Sequence, residues 1–343
     1  MAYTTVDDPT QYFNTKLYTG NGSTQSITGV GFQPDWIWIK QRNGAEWHNL
    51  IDSFRGGTKV LYSNETNAEA TSSNLITSFD SDGFSLGTAN EVNGNTNTFA
   101  SWNWLAGGTA SSNTNGSITS SVSANATAGF SIVSWTGDGS DATIGHGLSS
   151  APKLIIHKHR SGTVQWNVYA DIPSAGTGGY LRIDNNNDWT SNSGFFGTAP
   201  TASVFSPGSH SYMSGSGNDN IAYCFANVNG YQRIGYYEGN GSSDGPFVNV
   251  GFKPAFILIK GTSTTRNWNV IDNKRLGYNS DNDRQYPNNN IADNTADPID
   301  IFSNGFKCIG TQTDTNSSGV EYIYYAIAEN PFVTSTGTPA TAR

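Results

Sequence analysis

Carboxylates are the side chains whose chemistry would matter most in this chain, and their spacing argues against hydrolysis. A glycosidase sets two carboxylates roughly 5 to 9.5 Å apart, one of them with a raised pKa. Here the glutamates are scattered, at Glu46, Glu65, Glu69, Glu91, Glu238, Glu321 and Glu329, and no Glu-x-Asp-x-Glu-like cluster occurs. Asp80-Ser81-Asp82-Gly83 resembles the start of a calcium loop, but the later ligand positions and the closing glutamate are missing. Asp138-Gly139-Ser140-Asp141 and Asp281-Asn282-Asp283 read as Asx turns for the same reason. Among His48, His146, His157, His159 and His210, only the pair His157 and His159 shares a strand face, with no third zinc ligand evident. Neither a nucleophile elbow nor a phosphate-binding glycine loop is present. The reading is therefore of a non-enzyme with no cofactor and no metal.

What remains for binding is a set of aromatic residues in long polar loops: Trp189, Phe195, Phe196, Tyr212, Tyr278 and Tyr286. Exposed rings stack on sugars while neighbouring amides bond to hydroxyls, so these six are the candidate ligand residues. Protein–protein interfaces use the same residue types, and the two uses stay open at this point.

The elements that position them come from an internal repeat. Val30-Gly31-Phe32-Gln33-Pro34-Asp35-Trp36-Ile37-Trp38-Ile39-Lys40 recurs around Pro152 and again around Pro254. The spacing from Pro34 to Pro152 is 118 residues and from Pro152 to Pro254 it is 102; Trp47, Trp166 and Trp268 are spaced by 119 and 102. Each proline opens a β-rich run that reads as a buried strand. Residues that recur are expected to be architecture: Trp36, Trp47, Trp166, Phe256 and Trp268 as core, and Asp52, Asp171 and Asp272 as turn caps. Lys40, Lys158 and Lys260 are expected to snorkel at strand ends. Asn-Gly and Asp-Gly turns at Asn21, Asp138 and Asn240 read as hairpins.

Composition agrees. Charged residues make up 13% of the chain and aromatics 12%, with 39 glycines, which suits short strands joined by polar turns. The predicted fold is all-β: three tandem β-sandwich repeats of jelly-roll or lectin-like type. The expected divisions are an N-terminal arm at 1–15, the three repeats at 16–106, 128–230 and 231–334, a Gly/Ser/Thr-rich linker or strap at 107–127, and a tail at 335–343. A net charge of -9 disfavours nucleic acid. No signal peptide and no membrane-spanning run is recognised. Cys224 and Cys308 fall in different repeats and are expected to be reduced and buried.

Several stretches resemble structural proteins of marine tailed bacteriophages. They include Met1-Ala2-Tyr3-Thr4-Thr5-Val6-Asp7-Asp8-Pro9 with Tyr12-Phe13, Leu17-Tyr18-Thr19-Gly20-Asn21-Gly22, Ser101-Trp102-Asn103-Trp104, Gly129-Phe130-Ser131-Ile132-Val133-Ser134-Trp135, Ile221-Ala222-Tyr223-Cys224-Phe225 and Asn330-Pro331-Phe332-Val333. The repeats are also similar to concanavalin-like lectin sandwiches. The resemblance implies a virion surface protein, tail-fibre or adhesin-like, assembled in the host cytoplasm. Its partners would be other virion proteins and a host-surface polysaccharide, and it would act as a homo-oligomer or bound to a lattice. With no anchoring domain or shaft recognised, the alternatives are a capsid decoration or cement protein held by its arm and strap, and a polysaccharide-degrading enzyme.

Overall fold

A computed structural model describes residues 3–172, 178–275, 279 and 282–340. Strands account for 44% of the chain and helix for 5%, so the fold is all-β. Almost all of it is built from pairs of antiparallel sheets.

The first segment shows the plan. A large sheet orders its strands as Phe13–Thr19, Thr98–Trp104, Trp36–Gln41, Asn49–Asp52, Lys59–Tyr62 and Ala70–Thr71. A three-stranded sheet, Gln25–Thr28, Gly83–Leu86 and Ile76–Asp80, covers one of its faces. The same arrangement recurs twice. Phe130–Thr136, Asp219–Phe225, Leu154–His159 and Asn167–Ala170 sit in the second large sheet, and Gln232–Glu238, Glu321–Pro331, Phe252–Gly261, Asn269–Asp272 and Arg284–Gln285 form the third. Their small sheets are Ile144–Gly145, Val204–Pro207 and Phe196–Thr198, then Asp244–Asn249, Gly305–Ile309 and Ile299–Phe302.

The proline strands explain how the segments assemble. Successive side chains of a strand point to opposite faces. In Trp36-Ile37-Trp38-Ile39 the isoleucines enter the first segment's own sandwich core, with Phe84, Leu86 and Phe99. The tryptophans face the other way, into a cluster shared by all three segments with Leu154, Ile156, Phe256 and Leu258. Both faces are buried, which is why the run shows no polar alternation. Ring contacts link every pair of segments in the shared cluster. Trp36 stacks on Tyr223 at 4.3 Å, Phe225 meets Tyr325 at 4.8 Å, and Trp104 meets Phe256 edge-on at 5.5 Å. The three large sheets thus close a ring around one core.

Three expectations change. The Asn/Asp-Gly turns are Asx turns, with Asn21, Asp138 and Asn240 accepting from the N–H groups of Ser23, Ser140 and Ser242, but they carry the chain from one sheet to the other. A hairpin would pair the two flanking strands; here Phe13–Thr19 pairs with Thr98–Trp104 instead. The arm is neither loose nor free for a neighbour: Val6 is buried in the shared cluster, Tyr3 donates to the Gly251 carbonyl at 2.6 Å, and Asp7 accepts from Ser335. The strap contributes strands too, Ser111–Asn113 and Ser120–Asn125, which extend the second large sheet.

Candidate functional site

The buried seams between segments gather most of the charged and aromatic residues that the repeat picks out. Strand register sets their correspondence. Asn49, Asn167 and Asn269 pair with Ile39, His157 and Ile259, so the residues just before them, His48, Trp166 and Trp268, are equivalent. Trp47, the expected equivalent, is one residue out of register and half-buried against Tyr62. Trp166 Nε1 donates to the Tyr62 carbonyl of the first segment at 2.9 Å, and Trp268 Nε1 to the Arg182 carbonyl of the second at 2.6 Å. His48 completes the cycle against the main chain at Tyr286 and Asn289 of the third, and burial holds its pKa well below the usual histidine value.

The lysines belong to the same seams. Lys40, Lys158 and Lys260 are fully buried, so they do not snorkel. Lys260 donates to the carbonyls of Arg266 at 2.7 Å and Asn186 of the second segment at 3.1 Å. Lys158 donates to Val164 and to Thr66 of the first segment, and Lys40 to Gln41 and Gly44. Burial lowers their pKa values to about 7 for Lys260 and about 8 for the other two. Carbonyl groups thus replace the water around each ammonium, contributed across the seam for Lys158 and Lys260 and by the lysine's own segment for Lys40.

Asp52 and Asp272 are also equivalent, opposite Trp36 and Phe256. Asp52 pairs with Arg55 at 2.6 Å and accepts from Tyr223 of the second segment; Asp272 pairs with Arg275 at 2.7 Å and accepts from Trp102 of the first. They do cap the turns after their strands, through the N–H groups of Arg55 and Arg275. In the second segment this register position is Ala170, not Asp171, which is half-exposed and paired with Lys153 at 2.5 Å. Asp82 accepts from the N–H groups of Gly29 and Gly31, which lowers its pKa. No cluster of three metal-ligating side chains occurs among the described residues.

The loop aromatics do not converge. Phe195 and Phe196 are 2% and 1% exposed, inside the second segment's core. Tyr286 is 8% exposed beneath the Arg284 guanidinium, at the seam position equivalent to Tyr62. Half-buried Trp189 packs on the shared core, with its N–H bonded to the Thr262 carbonyl, and half-buried Tyr212 packs edge-on against His210. Tyr278 lies outside the described residues. An aromatic beside an Asn/Gly turn at the mouth of a sandwich removes more apolar area from water by folding inward, and these rings do so.

A different aromatic site lies on the open edge of the third segment. Gln232–Glu238 and Asp244–Asn249 are the edge strands of its two sheets. A groove of about 560 Å³ runs between them, lined by Arg233, Gly235, Tyr236, Phe247, Asn249 and Tyr324, with Lys153, Asp171 and Asn227 contributed by the second segment. Its volume is that of a small-molecule site, within roughly 300–1,000 Å³. Tyr236 is 53% and Phe247 46% exposed, and Phe302 extends the patch edge-on to Phe247 at 5.7 Å. Tyr324 forms the floor. Its ring lies over Gly235, where a Cβ would come within 2.6 Å of the hydroxyl oxygen. Burial raises the Tyr324 pKa, and the neighbouring Arg233 partly opposes that rise.

Register makes the site singular. Tyr236 corresponds to Leu17 and Ser134, Tyr324 to Ser101 and Ala222, and Phe247 to Ser26 and Thr143. At three positions the third segment carries a ring where five of the six counterparts are small. The signal in the sequence was Gly235-Tyr236-Tyr237, where consecutive aromatics on one strand must face opposite ways.

The chain belongs to the DUF7483 family. That family, described as a domain of unknown function, matches residues 8–331. No curated protein matches the chain. The matched span runs from the middle of the arm to the last strand, so the DUF7483 unit contains all three sheet pairs and their closed ring.

Proposed function

We propose that this DUF7483 protein is a non-enzymatic recognition protein of a virion surface, which binds a host saccharide in the Tyr236–Phe247–Tyr324 groove. The observation that carries the reading is the concentration of exposed rings at positions where the other two segments have no aromatic. Seams repeat because they hold the ring together; a groove that occurs once has no such duty. Flat rings offer their faces to the C–H groups of a sugar, and the Asn249 side chain and the Lys153–Asp171 pair supply donors and acceptors for hydroxyls. Among the described residues Asp171 is the one carboxylate in the lining, and it is tied to Lys153, which favours recognition over hydrolysis. The virion setting rests on the resemblance to phage structural proteins. A purely structural decoration role draws less support, since the arm and strap are both engaged within their own chain.

The test is a glycan array probed with the wild-type protein and with Tyr236→Ala/Phe247→Ala. Binding by wild type that the double variant loses, with unchanged melting temperature, is expected. Equal binding by both proteins, or none by either, would overturn the reading.

A further inference from the structure

Resting on that saccharide reading, we propose that the groove selects an anionic saccharide, one bearing a carboxylate or sulfate, and that Arg233 is the selecting residue. Among the described residues, three charged side chains line the groove. Lys153 and Asp171 neutralise each other at 2.5 Å. Arg233 is exposed and forms no ion pair among the described residues; its neighbour is the Tyr324 hydroxyl. The groove therefore carries one uncompensated positive charge, on a chain whose net charge is -9. As with the rings, only the third segment carries a charge at this register position. Arg233 lies opposite Ala326, and the same register places neutral Asn14 and Ser131 in the other two.

The arrangement also fixes the form of the ligand. Ile234 faces the shared core, while Tyr237 and Tyr324 face the third sandwich core, so Tyr236 and Arg233 project from opposite sides of the edge strand. Gly235 between them leaves a saddle free of side chain, with the Tyr324 ring beside it. A saccharide of several units would cross this saddle, stacking on Tyr236 at one side and on Phe247 at the other. Its oxyanion would lie against the planar guanidinium fork, which suits carboxylate and sulfate geometry.

Calorimetric titration tests this with three probes: a galacturonic acid tetramer, a sulfated galactose tetramer and the neutral galactose tetramer. At least one anionic probe should bind roughly tenfold tighter than the neutral one, and 0.5 M salt should shrink that gap. Which anionic probe binds more tightly distinguishes carboxylate from sulfate. Arg233→Gln should erase the preference while leaving the melting temperature unchanged. Neutral binding as tight as anionic, or a preference that survives Arg233→Gln, overturns the anionic selection and leaves the saccharide reading standing. Absence of binding by all three probes overturns both.

Discussion

The seams and the groove use the same residue types to opposite ends. Both hold aromatic rings, a cation and backbone or side-chain acceptors. In the seams the cations are fully buried and satisfied by carbonyls, and the pattern repeats with small variations: His48 for Trp166 and Trp268, Ala170 for Asp52 and Asp272. In the groove Tyr236 and Phe247 are half-exposed above a buried Tyr324, the arginine forms no ion pair among the described residues, and the pattern occurs once. The lesson concerns how a tandem repeat divides labour. Positions that must join one segment to the next are held to one solution, while an outward-facing edge strand is free to differ.

The largest effect should come from the seams. Trp268→Ala leaves a cavity and an unsatisfied Arg182 carbonyl, and is expected to cost about 3–5 kcal/mol in denaturant unfolding. Trp47→Ala, one register out and half-buried, should cost less than half of that. Comparable losses would undo the assignment of His48 as the true counterpart.

Next comes the groove floor. Gly235→Val places a side chain where the Tyr324 ring lies, so it should abolish saccharide binding at a stability cost of about 1–3 kcal/mol. Tyr236→Ala and Phe247→Ala should each weaken binding by about tenfold or more, with stability within about 0.5 kcal/mol of wild type. Leu17→Ala and Ser26→Ala, at the matching places in the first segment, should leave binding unchanged. A loss there would mean that recognition is not confined to one edge.

The pH response separates the regions as well. Lys260 titrates at about 7 in the folded chain against 10.5 for a free lysine, and Lys40 and Lys158 at about 8. Between those values the unfolded chain binds more protons, so unfolding free energy should climb with pH from about 7 toward 10. The slope is at most about 1.4 kcal/mol per pH unit for each lysine. Lys260→Met should flatten part of that climb. A slope identical to wild type would show that this ammonium is not burdened by burial.

Much of the fold was legible because local signals agreed. Pro34 and Pro152 do precede their strands, whereas Pro254 lies inside Phe252–Gly261 at a break in register; the Asx-Gly turns ended strands, and a run apolar on both faces marked the central strands. Register was not legible. Trp47 and His48 are adjacent, and chemical likeness to Trp166 and Trp268 favoured the tryptophan, while the pairing of Asn49 with Ile39 makes it the histidine. The lysines read as snorkelling because a single strand does not reveal the carbonyls that meet them, from the preceding segment for Lys158 and Lys260 and from the following turn for Lys40. The loop aromatics misled for a related reason: polar neighbours show that the backbone is near water, not where the ring points. Finding the groove required the cross-strand partnership of Gly235 with Tyr324, residues far apart in sequence.

Hydrogen–deuterium exchange with and without a bound oligosaccharide tests the division of labour most directly. Protection should appear in residues 232–238, 244–249 and 321–326, with no change in 13–19, 25–28 and 98–104 or in the second segment's equivalents. Equal protection of all three edges, or protection confined to the seams, would contradict it.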